Sequence, residues 1–495
     1  MTTDATRAPA ALTNFNSHNE RIKAANKQLI ADIKARDSDW QKAMRDGFDE
    51  MQSGFSKSPF LDFMSLLKDT AYKGDSNTPD GWERPNTNGD PLEAGNNARV
   101  WGGMKGDTIS ARNNAFIAGR EGNDTISAYN NAQISGGDGN DTISAYNNAR
   151  ILGGNGDDKI NAYENSHIRG GGGNDIIDTY GNSKIDGGDG NDIISAYNNS
   201  RIMGGRGDDH LRAYDNARID GGYGDDYISA YNNIQASGGK GNDTIRAYDN
   251  AQIQGGMGDD TITAYDNARI AAGEGNDTVR TYDNGVIDAG SGNDDVEAYS
   301  NASISLGDGN DYALARGVNN RIDGGAGDDR ISSGENNQLF GGVGNDWLST
   351  GKDSIVDGGT GDDTIHSGEN SVVSGGMGDD FVHVGGNSTI LFSTGDGNDV
   401  LTGIGTYGGH GDLEKSTVLF DTGISPDDVT ISMEGNTMVI ALKSGDSLTI
   451  PGRTDSAPDS PWHPNQTAPN LEFSDGTTWT SAEVVAKAKT PTSTQ

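Results

Sequence analysis

The chain has 495 residues, 74 of them glycine, no cysteine, and a formal net charge of −37. So negative a chain disfavours nucleic acid and favours cations as partners, and without cysteine it has neither disulfides nor thiolate metal sites. Hydrophobic residues are 32% of the total, too few for one large core, and that much glycine points to a repeat architecture.

The opening residues, "MTTDATRAPAALTNFNS", hold no basic stretch followed by an apolar run, so no Sec-type signal peptide is expected. Up to about residue 75, Ile22, Leu29, Ile33, Trp40, Met44, Phe48, Met51 and Phe55 recur near three-to-four spacing, which predicts an α-helical N-terminal segment. Ser17, with Glu20 three residues on, forms a capping box at its start. Residues 76–93 are rich in Pro, Gly and Asn and read as a linker. The chain has no run of eighteen apolar residues, so no transmembrane helix is expected.

Over residues 94–402 one phrase recurs every seventeen residues. Its aspartate stands at Asp107, Asp124, Asp141, Asp158, Asp175, Asp192, Asp209, Asp226, Asp243, Asp260, Asp277, Asp294 and Asp311. After an eighteen-residue step it continues as Asp329, Asp346, Asp363 and Asp380, then Asp399 after nineteen. Each coil reads as two short strands and two turns. The period of two turns Ile143 and Ala145 inward and Thr142, Ser144 and Tyr146 outward. Asn147 and Asn148 make the far turn, Ile151 fills the core from the second strand, and "GGNGDD" makes the near turn. Seventeen residues are too few for three strands, so the fold class expected is all-β: a flattened parallel β-roll or β-solenoid. It has about 18 coils, roughly 80 Å long at about 4.8 Å per coil.

The phrase GGxG[N/D]DxI is intact as "GGDGNDTIS" (136–144), "GGNGDDKIN" (153–161), "GGMGDDTIT" (255–263) and "GGTGDDTIH" (358–366). It resembles the nonapeptide repeat of the RTX, or haemolysin-type, calcium-binding family, over about three-fifths of the chain. The resemblance implies a secreted protein in which the Asp carboxylates and backbone carbonyls of successive loops surround multiple Ca²⁺ ions. Calcium takes six to eight oxygen ligands, and glycine lets carbonyls turn towards the ion. The metal ligands expected are then the aspartates from Asp124 to Asp399. The second half-coil departs from the family pattern: it reads "AYNNARIL", with Ala149 where an aspartate would stand. Calcium is therefore expected along one edge, and an asparagine ladder (Asn131, Asn148, Asn165, Asn182, Asn199, onward to Asn301) along the other. Lys105, Arg120, Ala272, Ala289, Leu306 and Thr394 replace loop glycines and predict weaker sites. The alternative is that the aspartates only cap turns through hydrogen bonds.

Eighteen loops leave seventeen intervals, so calcium would bring up to +34 against −37. The metal-free repeat is then expected to repel itself and stay largely unfolded until calcium drives folding. In a bacterium the cytosol is poor in free calcium and the medium is not, which fits export of an unfolded chain and an extracellular or cell-surface location.

Two outward rows carry further chemistry. Tyrosine recurs at Tyr129, Tyr146, Tyr163, Tyr180, Tyr197, Tyr214, Tyr231, Tyr248, Tyr265, Tyr282 and Tyr299, and becomes glycine from Gly317 on. A basic stripe precedes the core aliphatic of the second strand: Arg99, Arg150, His167, Lys184, Arg201, Arg218, Arg269, Arg321. Together they are expected to bind an extended acidic polysaccharide, about one sugar ring per coil. The alternative is an aromatic ladder that stabilises its own edge, with arginines that offset the chain's own acids. The position after Gly-Gly is not a threonine row, which speaks against ice binding.

Residues 403–482 alternate, as in Met438, Ile440 and Leu442, and predict β-hairpins that cap the open solenoid end. "DTGISPDDVTISMEGNTMVIALKSGDSLTIPG" (421–452) and "LEFSDGTTWT" (471–480) resemble the haemolysin-type calcium-binding-related domain that follows RTX repeats. The polar tail, 483–495, ends in "AKTPTSTQ" and resembles type I secretion tails. The Ser/Thr/Ala/Asn-rich opening residues leave type III export open, and the chain resembles harpins in being acidic, glycine-rich and free of cysteine. The seven histidines show no HExxH, and there is no G-x-S-x-G elbow and no P-loop, so no enzyme is expected. The reading is a secreted, calcium-folded solenoid with a structural, adhesive or polysaccharide-binding role. Its rivals are a polysaccharide lyase or epimerase, and an exported effector or elicitor acting through its N-terminal helix.

Overall fold

The computed structural model describes residues 91–403, 413–435, 437–451 and 468–488. The chain divides into two compact units, Met1–Trp82 and Glu83–Gln495, and the second is described here. The N-terminal helix, nearly all of the linker and the end of the tail lie outside the described residues.

The second unit is a parallel β-solenoid of about eighteen turns. Each coil gives one strand to each of two sheets. Thr142–Tyr146 belongs to the first, sheet I, and Arg150–Asn155 to the second, sheet II. Successive strands pair parallel and residue for residue, as in Ile143 with Ile160 and Ile151 with Ile168. The first pairing joins Leu92–Ala94 to Ile109–Ala111, so the solenoid starts two residues before the boundary read from the sequence.

The alternation has its cause in the side chains. Thr142–Tyr146 runs exposed, buried, half-buried, buried, exposed, and the β-branched Ile143 and Ile151 fill the space between the sheets. At the far edge Asn147 and Asn148 have φ of 55° and 58°, the left-handed region that asparagine tolerates best after glycine. Asparagine side chains then hydrogen-bond from coil to coil: Asn131 Nδ2 donates to Asn114 Oδ1 at 3.1 Å, and Asn199 to Asn182 at 3.1 Å. The expected asparagine ladder is present in segments, as from Asn97 to Asn131, from Asn165 to Asn199 and from Asn267 to Asn284.

The ladder does not stop at residue 402. In sheet II, Thr389–Phe392 pairs with Thr417–Phe420, and that strand with Asn470–Glu472, all parallel. In sheet I, Asn398–Val400 pairs with Ser447–Thr449. Only then do antiparallel pairs follow, Val429–Glu434 with Thr437–Leu442 and Thr437–Ala441 with Ser447–Pro451. Phe392, Phe420 and Phe473 are fully buried here. The start of the supposed polar tail is a helix, Ser481–Ala488, which buries Val484, Val485 and Ala488. Its apolar spacing, not its composition, decides its place. Among the described residues no helix is long and apolar enough to cross a membrane.

Candidate metal centre along the near edge

At the near edge each coil turns through Gly-Gly-x-Gly-[Asn/Asp]-Asp. The chain passes through positive φ at the second and fourth positions, 126° at Gly137 and 125° at Gly139, where a side chain is strained. The turn ends by folding its aspartate inward. Asp124, Asp141, Asp158, Asp209 and the rest of the row to Asp399 are at most 3% exposed.

The two oxygens of each carboxylate do different work. One is a turn cap: the Asp124 N–H donates to Asp141 Oδ1 at 2.7 Å, and the Asp141 N–H to Asp158 Oδ1 at 2.8 Å. The pattern repeats up the row to Asp380 donating to Asp399 Oδ1 at 3.0 Å. The other oxygen, Oδ2, is buried without a hydrogen-bond partner in every coil from Asp124 to Asp380. Buried polar atoms are rarely left so. Where the first loop position is glycine, Oδ2 points at the space a Cβ would fill there. Beside Gly136 that point is 2.1 Å from Asp141 Oδ2 and 2.5 Å from the carbonyl of Gly153, one coil on. In most coils a carboxylate oxygen and a backbone carbonyl thus converge beside the first glycine.

This donor set fits calcium, a hard ion that accepts carbonyl and carboxylate oxygens in mixed, flexible shells. Among the described residues no three acidic or histidine side chains form a ready-made cage, so carbonyls must supply most of each shell. Burial decides the electrostatics. Desolvation pushes Asp141 and Asp175 up to about 6, Asp192 and Asp226 to about 7, and Asp158 and Asp209 to about 8, against a usual 3.8. The hydrogen bond from the neighbouring coil opposes this, and for Asp158, Asp192 and Asp209 the adjacent aspartates of the row reinforce it. A divalent cation beside Oδ2 would remove the cause and release the proton.

Ala272, Ala289 and Leu306 supply a Cβ where glycine stands elsewhere, yet Asp277, Asp294 and Asp311 still bury an unpartnered Oδ2. At the start of the row Asp107 differs, since its Oδ2 accepts the Gly103 N–H at 2.5 Å. Two features escape a reading of the sequence. The Asn or Asp just before each buried aspartate forms an outer ladder of opposite sense, the Asn140 N–H donating to Asn123 Oδ1 at 2.9 Å. Its signal is the amide or acid that stands there in coil after coil. At the last coil Asp446, from a hairpin turn, accepts the Gly397 N–H at 3.2 Å. Elsewhere that N–H goes to the next coil, as Gly139 to the Asn155 carbonyl at 2.8 Å. Nothing local in the sequence marks a contact 49 residues apart.

The tyrosines from Tyr129 to Tyr299 stack face to face, with centroids 4.7 Å apart for Tyr197 and Tyr214 and 5.3 Å for Tyr163 and Tyr180. Ring faces are occupied by neighbouring rings, so edges and hydroxyls are what they offer. The basic stripe lies elsewhere. Tyr146 ends a strand of sheet I and Arg150 begins a strand of sheet II, so the far turn separates the two rows. The structure does not bring them together as one surface. Within sheet II, Arg150, His167, Lys184, Arg201 and Arg218 stand in register in five consecutive coils. Arg269 is set apart between Gln252 and Val286, and Arg321 lies over the Phe340 ring at 4.1 Å.

Comparison with known proteins agrees with this geometry. The RTX calcium-binding nonapeptide repeat (4 copies) matches residues 113–143, 179–211, 196–217, 305–337 and 332–354. Among solved structures, the chain is similar to a hyperactive, Ca²⁺-dependent, β-helical antifreeze protein from an Antarctic bacterium. The identity is 17%, over 71% of this chain and 89% of that one, with a TM-score of 0.25, too low to carry any argument. No curated protein matches the chain. The solenoid thus carries RTX calcium-binding nonapeptide repeats along its aspartate edge.

Proposed function

We propose that the chain is an exported solenoid that folds on calcium outside the cell and holds an acidic polysaccharide along the basic column of sheet II. The buried row Asp124 to Asp399 supplies the calcium ligands. Ions shared between neighbouring coils join the coils. Folding then waits for a calcium-rich medium, which suits export of an unfolded chain.

One observation carries the polysaccharide reading: the five-coil column of Arg150, His167, Lys184, Arg201 and Arg218. Like charges directly opposite on neighbouring strands repel. Their mutual effect is visible at His167, whose imidazole is held below its usual range by burial and then by Lys184 and Arg150. Among the described residues none of the four long cations forms an ion pair, whereas Arg169, beside the column, pairs with Asp186 at 3.3 Å. A polymer with one carboxylate per sugar ring would neutralise the column at about one ring per coil. Tyrosine edges on sheet I lie outside this surface, and Arg269 stands apart from it.

The test is calorimetric binding of a short oligouronate to the calcium-loaded chain. Binding is expected to weaken with salt and to fall about tenfold or more in Lys184→Glu/Arg201→Glu, with the oligomer recovered at its original length. Equal affinity in the charge-reversed variant would refute the site. Shortened product would instead make the protein an enzyme.

A further inference from the structure

We propose that the outer face of sheet I is a self-association surface, on which a second copy of this chain docks antiparallel. The twofold axis would run along the strands and pass through the coil of Ile193, Ser195 and Tyr197. Ile176 is 42% exposed and Ile193 47%, side by side on neighbouring strands, with Tyr180 46% exposed at the same face. Two adjacent β-branched apolar side chains standing in water on a flat sheet ask for a partner.

The charges say which partner. Sheet I presents three outward rows. In the middle row Asp178 lies one coil before Ser195 and Arg212 one coil after it. Both flank Tyr197, whose hydroxyl is held above its usual range by burial, by the neighbouring tyrosines and by Asp178, while Arg212 opposes this. Among the described residues neither ion-pairs within the chain. A twofold axis along the Ser195 strand carries coil 178 onto coil 212 of the second copy. Asp178 then meets Arg212 twice across the interface, once on each side of the axis.

The same operation suits the other two rows. Ile193 meets its own copy, Ile176 meets His210, and Lys159 meets Tyr227. His210 is held below its usual range by burial and by Arg212, and its ring packs as an aromatic, stacked on Tyr227 at 4.6 Å. Tyr227 carries His210 on one ring face and Arg246 on the other, so Lys159 meets its edge and hydroxyl. Further out, Asn161, threonine and serine face serine, threonine and Arg246, and no like charges oppose each other. In the third row the tyrosine ridge lies along its own copy. Nine coils overlap, from Tyr129 to Tyr265. At about 4.8 Å per coil and about 16 Å of strand they cover roughly 700 Å² per protomer, near the roughly 800 Å² of a standard interface.

The experiment is sedimentation velocity on the full chain in saturating calcium, from low to high micromolar concentration. A concentration-dependent doubling of mass is expected, abolished by Ile193→Lys. Asp178→Arg and Arg212→Asp should each weaken the dimer about tenfold or more, and the two together should restore it. The β signal in circular dichroism should stay unchanged in all four variants, which separates lost association from lost folding. A monomer at every concentration would overturn the proposal, as would a dimer indifferent to these substitutions or a double variant as weak as the singles.

Discussion

A single carboxylate sets the chemistry of the near edge. Its Oδ1 closes the turn of the coil before, and its Oδ2 is taken out of water with no donor to meet it. The usual pKa of 3.8 rises to about 8 at Asp209, so the folded chain binds more protons than the unfolded one between those values. The sign follows: without metal, the fold is most stable below about pH 4 and loses that stability as pH rises through about 8. Metal-stripped protein should therefore resist urea better at pH 5 than at pH 8. The calcium concentration needed for folding should rise over the same interval, because the unfolded carboxylates are already ionised there and the protons that hold the metal-free fold are lost. Both are read from denaturant and calcium titrations by circular dichroism. Substitution separates the two oxygens. Asp209→Asn keeps an acceptor for the Asp192 N–H and removes the charge, so it should fold in calcium while binding fewer ions. Asp209→Ala leaves that N–H unpaired, costing a further 1–3 kcal/mol or so, measured by urea midpoint. The aspartate was legible at once, because every coil repeats it. Its division of labour was not, since cap and ligand use the same residue at the same spacing.

The turn is the element on which this depends, and its glycines are unequal. At Gly205 φ is 125°, and a Cβ would lie 2.1 Å from the carbonyl of Gly188 in the coil below. Gly172 has no such φ, and a Cβ there would meet nothing nearer than 3.8 Å. Gly205→Ala should cost more than about 1 kcal/mol, and Gly172→Ala should stay within about 0.5 kcal/mol, compared by calcium-loaded melting. A two-strand coil, its inward isoleucines and the asparagine ladder were all readable from period and turn chemistry. Period also set Tyr146 on the first strand and Arg150 on the second, and they lie on separate sheets on either side of the far turn; it could not say how that turn aims the two rows. The terminal coil was hidden for a different reason. Asp446 caps Gly397 from 49 residues away, and in Asp446→Ala the last coil should fray first, seen as faster hydrogen exchange over residues 397–403 with the middle coils unchanged.

At the scale of the whole molecule, stability is a sum over nearest neighbours. Most coils bury two aliphatic side chains, usually isoleucine, and many add one or two alanines, a small core that stacking extends along the solenoid. Against it stands a row of buried carboxylates whose ionisation the fold alone does not compensate. Calcium shared between coils resolves the conflict for all of them together, so folding should be cooperative in the ion rather than graded. The measurement that tests this most directly is far-UV circular dichroism of metal-stripped protein at pH 8, titrated with calcium alongside calorimetric stoichiometry. A cooperative gain of β signal with many ions bound per chain is the expected result. A fully folded metal-free protein that binds few ions or none would contradict it, and the aspartates would then be turn caps alone.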